Sequence, residues 1–250
     1  MTTNNPFSLE NKTILVTGAS SGIGRAIAVA CSELGAKLII TGRNKERLKQ
    51  TLEMLSGTDH LFYAADLTID SDLSALIDFV PQLDGFVSNA GIAQPMMLQF
   101  VEKQDVNTVI NTNAISVIHL TRLLLQDKKL KKGASVVFIS SINGNQCAYL
   151  GSSIYAASKS MLNGFMKATA LELAPKKIRV NSIQPGMIDT DLLDNSAVSK
   201  EDLDKDKLKY PLKRYGKPEE IAYAAAYLLS DTTQWMTGSN LKIDGGYTLQ

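Results

Sequence analysis

Seven short apolar runs, separated by longer amphipathic stretches, constrain most strongly how this chain can fold. The runs are TILVT (13–17), KLIIT (37–41), HLFYA (60–64), GFVS (85–88), SVVFI (135–139), RVNSI (179–183) and NLKI (240–243). Several are continuously apolar rather than alternating, as expected of parallel strands buried on both faces. Between the first two lies IGRAIAVACSEL, where Ile23, Ile27, Cys31 and Leu34 recur at helical spacing and Gly35 follows as a stop signal. Strand–helix alternation across the chain predicts an α/β fold. It is a doubly wound parallel sheet of about seven strands, with helices on both faces.

No linker, repeat or low-complexity stretch divides the 250 residues, so a single domain over 1–250 is expected, with a short tail at 1–8. Hydrophobic residues make up 44%, enough for a sizeable core. The net charge of +1 gives no basic excess to attract nucleic acid or a membrane surface. No apolar run approaches the ~20 residues of a membrane span, and the start carries no signal-peptide pattern. Cys31 and Cys147 are far apart and outside any C-x-x-C pattern, which fits a reducing compartment, so the expected location is cytoplasmic. With only His60 and His119, neither a histidine metal site nor a Ser-His-Asp arrangement is expected.

The first strand runs into TGASSGIGRAIA, placing Gly18, Gly22 and Gly24 at a strand-to-helix turn. Glycine there permits a tight turn and lets backbone N–H groups approach a pyrophosphate, with the positive end of the helix behind them. A tight turn without a ligand is the alternative. The second strand ends in TGRN. An acidic residue at this point would bind the ribose 2′-hydroxyl of NAD. Here Gly42 and then Arg43 follow, and an arginine suits the 2′-phosphate of NADP. The expected cofactor is therefore NADP(H) rather than NAD(H). A solvated arginine opening the next helix is the bland reading.

In SSIYAASKS, Tyr155 and Lys159 are four residues apart, on one helix face. The strand SVVFI leads into Ser140 and Ser141 shortly before them. A lysine cation beside a phenol favours the phenolate and is expected to lower the tyrosine pKa, and Lys159 itself need not titrate.

Together, TGASSGIG, SNAG (88–91), the serine with YAASK, QPG (184–186) and TGSNLKIDGG resemble the short-chain dehydrogenase/reductase family. They occur in family order from about Leu9 to Gly246. The resemblance implies a Rossmann fold and a carbonyl–alcohol oxidoreductase similar to 3-oxoacyl-acyl-carrier-protein reductases. It implies Tyr155 as proton donor, Lys159 as its partner and ribose anchor, Ser141 holding the carbonyl oxygen, and Asn113 holding a relay water. Ser140 competes with Ser141, because the loop Ile142–Ile154 is one residue longer than the family spacing, and Asn111 competes with Asn113, although TNAISV fits the family phase better with Asn113.

For the cofactor the resemblance implies Gly18, Ser20, Ser21, Gly22, Ile23 and Gly24 at the turn, and Arg43, Asn44, Asp66 and Leu67 around the adenosine. Asn89, Ala90, Gly91, Tyr155, Lys159, Pro185, Gly186, Ile188 and Thr190 would lie around the nicotinamide. The segment 187–215 would be the substrate loop. Met96, Met97, Leu98, Cys147, Tyr149, Leu192 and Leu193 are candidate pocket residues, though packing accounts for each equally well. The substrate would be a small carbonyl or alcohol, with a 3-oxoacyl thioester on an acidic acyl carrier protein as the first to try. A sugar, polyol, steroid-like or xenobiotic carbonyl is the alternative, and a non-catalytic dinucleotide sensor is the reading from another class. Lys128, Lys129, Lys131, Lys132, Lys176 and Lys177 would offer the carrier a basic surface, or simply form a solvated face. A homo-oligomer, dimer or tetramer, is expected, paired through the helices around INTNAISVIHLTRLLLQ and YAASKSMLNGFMKATALELA.

Overall fold

The computed structural model describes residues 5–190 and 199–249. Seven parallel strands form one sheet: β1 Thr13–Thr17, β2 Lys37–Gly42, β3 Leu61–Ala64, β4 Leu83–Ser88, β5 Leu130–Ile139, β6 Arg179–Pro185 and β7 Asn240–Ile243. Their order is β3-β2-β1-β4-β5-β6-β7. The chain thus winds outward from β1 to β3, then returns to the other side of β1 and winds outward again. In an open α/β sheet the crevice at this reversal, outside the carboxyl ends of the strands, is where ligands bind. Here it lies between β1 and β4.

Successive strand residues bury opposite faces. Ile14 and Val16 pack with α1 (Gly22–Glu33), α2 (Lys45–Glu53) and α8 (Pro218–Leu229). Leu15, Val136 and Phe138 pack with α3 (Asp70–Phe79), α5 (Ser116–Gln126) and α6 (Ser153–Leu173). Two apolar layers, one on each side of the sheet, are what continuous apolar strands require. All seven predicted strands are present, and the main difference is in β5. It starts at Leu130 rather than Ser135, because Leu130 pairs with Leu83 of β4 and residues 131–134 bulge between that pair and Gly85–Ser135. There the register shifts between Leu83 and Gly85.

The stretch expected as one helix around INTNAISVIHLT runs as α4 (Lys103–Ile110), a π-helical turn at Asn111–Ile115, and α5. Within 187–215, α7 spans Lys200–Lys207, starting at an N-cap Ser199 that accepts a hydrogen bond from the Asp202 N–H.

Candidate active site

The turn after β1 is a close-packed cradle. Gly18 has φ +64° and Gly22 φ +52°, both in the left-handed region that glycine tolerates. A Cβ on Gly18 would meet Ala90 Cα at 2.8 Å, and one on Gly24 would collide with the Gly18 carbonyl and meet Asn89 Nδ2 at 2.5 Å. Ser21 holds the N-cap position of α1 without spending its hydroxyl on the helix, so the first N–H groups of α1 keep no side-chain cap. Ser20 and Ile23 sit half-buried in the same turn. Thr190, from the loop after β6, closes the other side; its methyl lies 3.4 Å from where a Gly22 Cβ would be.

Asn89 and Ala90 follow β4 and are tied to β1. The Thr17 hydroxyl accepts the N–H of Asn89 at 3.0 Å and of Ala90 at 3.1 Å. The Asn89 side chain donates to the carbonyls of Thr17 and Gly18. Asn89 therefore braces the switch point with its amide.

At the carboxyl end of β2, Arg43 is exposed, and Asn44 caps α2 by accepting the Arg47 N–H at 3.0 Å. Burial pushes the Asp66 carboxyl up, but hydrogen bonds from Thr68 and the Arg43 charge outweigh it and hold the group below its ordinary range. Leu67 is buried in the apolar layer, so only its backbone faces outward.

The catalytic candidates converge where β5 ends. Ser141 faces the Tyr155 phenol closely enough to draw its pKa down, while its hydroxyl accepts the Asn143 N–H at 3.1 Å. Ser140 points the other way, its hydroxyl donating to the Lys159 carbonyl at 3.1 Å inside the sheet–helix interface. The geometry thus separates the two serines and sets Ser141 beside the phenol. The longer loop is absorbed by a tight turn, in which Gly144 N–H donates to the Cys147 carbonyl at 2.8 Å, and the serine keeps its place.

Lys159 is 5% exposed; its Nζ donates to the Ile139 carbonyl at 2.9 Å and lies 5.8 Å from the centre of the Tyr155 ring. One electrostatic expectation is corrected here. Tyr155 is pushed above its ordinary value, because loss of water outweighs the influence of Ser141. Lys159 is pushed down to about 8 by burial. The reason is shared: the turn after β5 and α6 enclose both groups, and the ammonium bonds a carbonyl instead of the phenol.

Asn113 is fully buried in the π-helical turn, whereas Asn111 is exposed. The Asn113 amide accepts the Ile92 N–H at 2.8 Å and donates to the Ile92 carbonyl at 2.8 Å and to the Ser158 hydroxyl at 3.0 Å. Its side chain thus clamps the loop after β4 to α6. A Cβ on Gly91 would lie 3.2 Å from Asn113 Oδ1 and 3.4 Å from Lys159 Nζ, so all three residues share one wall. Pro185 and Gly186 close the far side. The Pro185 carbonyl accepts the Ile142 N–H at 3.1 Å, and Ile188 packs on Gly216.

A family model described as Enoyl-(Acyl carrier protein) reductase matches residues 18–248. The chain belongs to the short-chain dehydrogenase/reductase family. Its curated relatives include the 3-oxoacyl-(acyl-carrier-protein) reductase FabG of Rickettsia prowazekii (strain Madrid E), 36% identical over 96% of this chain and 98% of the relative. That of Chlamydia trachomatis serovar D is 37% identical over 95% and 98%. Among solved structures, a short-chain dehydrogenase/reductase from Serratia marcescens matches with TM-score 0.89 and 30% identity, covering 98% of this chain and all of that one. Members of this short-chain dehydrogenase/reductase family are oxidoreductases dependent on a nicotinamide dinucleotide, and this chain is one. Its glycine cradle, closed to any Cβ and backed by an uncapped helix N-terminus, fits such a cofactor. Among the described residues no helix is long and apolar enough to cross a membrane.

Several supporting residues of this dehydrogenase fold were not visible in the sequence. Thr17, Ser158 and Ile92 hold site residues through single hydroxyl or backbone contacts, and no spacing announces such contacts. Arg25 braces the glycine turn by donating to the Ser20 carbonyl at 2.6 Å and to the Thr51 hydroxyl at 3.0 Å. Gly18 to Gly22 also spells G-x-S-x-G around Ser20. No histidine serves it: His60 is engaged with Leu38 and Ser56 at the amino end of β2, and His119 lies on α5, across the sheet from α1.

Of the candidate pocket residues, Met97 and Leu98 are exposed and Met96 is half-buried, its N–H donating to the Gly151 carbonyl at 2.8 Å. Cys147 and Tyr149 are half-buried, while Leu192 and Leu193 lie outside the described residues. Lys128, Lys129, Lys131 and Lys132 sit at the start of β5, and Lys176 and Lys177 just before β6. That is the opposite edge of the sheet from Ser141, about 30 Å away at ~3.3 Å per strand residue. Lys129 donates to the Val80 carbonyl and Lys131 pairs with Asp84, so neither borders this chain's own site.

Proposed function

We propose that the protein reduces a ketone to a secondary alcohol, using NADPH, with a 3-oxoacyl thioester carried on acyl carrier protein as the first substrate to test. The observation that carries this reading is the Lys159 ammonium 5.8 Å from the centre of the Tyr155 ring, with Ser141 facing the same phenol, at the strand edge that also holds the glycine cradle. Bound NADPH would supply the hydride. Gly18, Ser20, Ser21, Gly22, Ile23 and Gly24 would hold its pyrophosphate, and Arg43, Asn44, Asp66 and Leu67 its adenosine end. Asn89, Ala90, Gly91, Lys159, Pro185, Gly186, Ile188 and Thr190 would line its nicotinamide end.

Tyr155 and Ser141 converge on one point, where a carbonyl oxygen accepts both hydroxyls. As negative charge grows on that oxygen, Tyr155 gives up its proton. A raised pKa keeps the phenol protonated until then, and an alkoxide is far more basic than a phenolate, so the transfer runs downhill. The Lys159 cation faces the ring and stabilises the phenolate left behind. Asn113 holds the wall beside Lys159. Its amide is spent on Ile92 and Ser158, so a relay water would bond its backbone.

The family description names an enoyl substrate and the curated relatives a 3-oxoacyl one, which differ in the bond reduced. A hydroxyl pair suits a carbonyl oxygen, which can accept two hydrogen bonds, better than a carbon–carbon double bond. Exposed Met97, Leu98, Phe100 and Leu150 on the loops that flank the site favour an acyl chain over a sugar or polyol. The single domain over 1–250, a cytoplasmic location and a homo-oligomer belong to the same reading. Exposed Leu171 on α6 and fully exposed Trp235 support a partner copy, which light scattering would reveal as a mass above one chain.

The test is a steady-state assay with an acetoacetyl thioester and either NADPH or NADH. Turnover with a lower KM for NADPH is expected, and Arg43→Asp should reverse the preference. Absence of turnover above background overturns the substrate, and an NADH preference overturns the cofactor.

A further inference from the structure

Four tyrosines that the reaction does not use form a continuous stack beside the candidate site. Tyr247 follows β7 in a turn closed by Asp244, whose carboxylate accepts the N–H groups of Gly246 and Thr248 at 3.0 Å each and the Thr248 hydroxyl at 2.7 Å. The Tyr247 ring lies 5.6 Å from Tyr149 and 4.8 Å from Tyr210, centre to centre, and Tyr210 meets Tyr215 edge-on at 5.6 Å. Contacts at these separations favour packed aromatic pairs.

The rings come from three different segments. Tyr149 belongs to the loop that joins Ser141 to Tyr155, Tyr210 and Tyr215 to the stretch after α7, and Tyr247 to the turn after β7. A fourth segment joins through the Tyr210 hydroxyl, which accepts the Met187 N–H from the loop after β6 at 3.2 Å. The turn after β7 is packed tightly enough to carry this load. A Cβ on Gly246 would meet Pro211 Cγ at 2.9 Å, and the Gly245 carbonyl accepts the Leu212 N–H at 3.3 Å.

The Tyr149 loop needs such an anchor. Its hydrogen bonds are mostly local: Gln146 and Cys147 N–H donate to the Ile142 carbonyl and the Ser152 hydroxyl to the Tyr149 carbonyl, and one bond from outside, the Met96 N–H to the Gly151 carbonyl, reaches the loop after Tyr149. The neighbouring Leu150 is 90% exposed, so no core lies beneath it. We infer that Tyr247 is a positioning residue for the carbonyl substrate, its ring bridging Tyr149 to Tyr210 and so setting the gap between the catalytic loop and the segment after α7. It acts through Tyr149 and touches no reacting atom. The substrate assignment rests on the ketone-reductase reading; the clamp itself does not.

Tyr247→Ala and Tyr247→Phe in the full chain test it, with an acetoacetyl thioester and NADPH as probes and hydrogen exchange read in parallel. Losing two ring contacts is expected to raise the thioester KM about five- to tenfold in Tyr247→Ala, with kcat within about twofold. NADPH affinity should not change, and Tyr247→Phe should restore the KM. Amides of residues 142–152 should exchange faster in Tyr247→Ala and not in Tyr247→Phe. Tyr247→Leu, which keeps bulk without a ring, should show the same signs if the alanine variant fails to fold. Exchange needs no turnover. A wild type that reduces no carbonyl thus removes the substrate reading, while exchange still judges the clamp. Unchanged exchange and KM in Tyr247→Ala and Tyr247→Leu overturn it, as does an equal fall in kcat, NADPH affinity and thermal stability.

Discussion

The Lys159 ammonium lies 5.8 Å from the centre of the Tyr155 ring, yet its hydrogen bond goes to the Ile139 carbonyl, 2.9 Å away. That carbonyl is the last of β5, so the lysine is anchored to the strand that delivers Ser141. Its influence on the phenol acts through space. Removing the phenol hydroxyl leaves this anchor untouched. Tyr155→Phe is expected to lower kcat by about 10²- to 10⁴-fold, with NADPH affinity unchanged by fluorescence titration. Full retained activity would identify another acid.

The two serines after β5 face different partners, and their alanine variants should separate. Ser141→Ala removes the hydroxyl that faces Tyr155 and should cost about 10²- to 10³-fold in kcat, the range for one donor at a developing oxyanion. Ser140→Ala removes only the bond to the Lys159 carbonyl, and should cost roughly 1 kcal/mol of stability with kcat nearly intact. Steady-state rates and denaturant melts on both variants decide. The reverse ranking would make Ser140 the active-site serine.

Lys159 offers a pH signature. Burial lowers its folded pKa from 10.5 to about 8. Between those values the unfolded chain binds the proton that the folded chain has released, so stability rises with pH across that window. Below it both states are protonated and the full penalty of burying the cation applies. Wild type should therefore gain on Lys159→Met as pH climbs through this interval, by up to about 1.4 kcal/mol per pH unit. Denaturation midpoints of both proteins, without dinucleotide, measure the difference; a gap independent of pH would refute the shift.

Gly24 tests the cradle. A methyl there collides with the Gly18 carbonyl and with Asn89 Nδ2, neither of which can retreat without disturbing the β1–β4 switch point. Gly24→Ala should destabilise by roughly 1–3 kcal/mol, the range for overpacking, and abolish NADPH binding measured by titration. Gly164→Ala is the control, because nothing lies within 4 Å of its Cβ position. Equal NADPH binding in both variants would remove the cradle from the cofactor site.

The central strands were legible because burial on both faces demands apolar runs such as TILVT, while the edge strand NLKI alternates polar and half-buried apolar residues and was legible from that alternation. The glycine turn was legible for a similar reason: backbone geometry restricts the residue type, and Gly18 and Gly24 have no alternative. The Tyr155–Lys159 pair shares a face by helical spacing, and only its setting after a strand-end serine and behind the glycine turn gave that spacing meaning. Tertiary structure decided what depends on direction and dielectric. It turned Ser141 toward the phenol and Ser140 away from it, since adjacent residues at a strand end point to opposite sides. It buried Asn113 and exposed Asn111 through a π-helical turn that no residue spacing announces. It reversed the expected shift of Tyr155, because the water removed by packing outweighs the influence of Ser141 and the lysine's own bond goes to a carbonyl. It placed the lysine clusters at the far edge of the sheet from the site. It also assembled Tyr149, Tyr210 and Tyr247, nearly a hundred residues apart at the extremes, into one stack. Local pattern reports which elements form; only their packing reports which side chains share water, charge and contact.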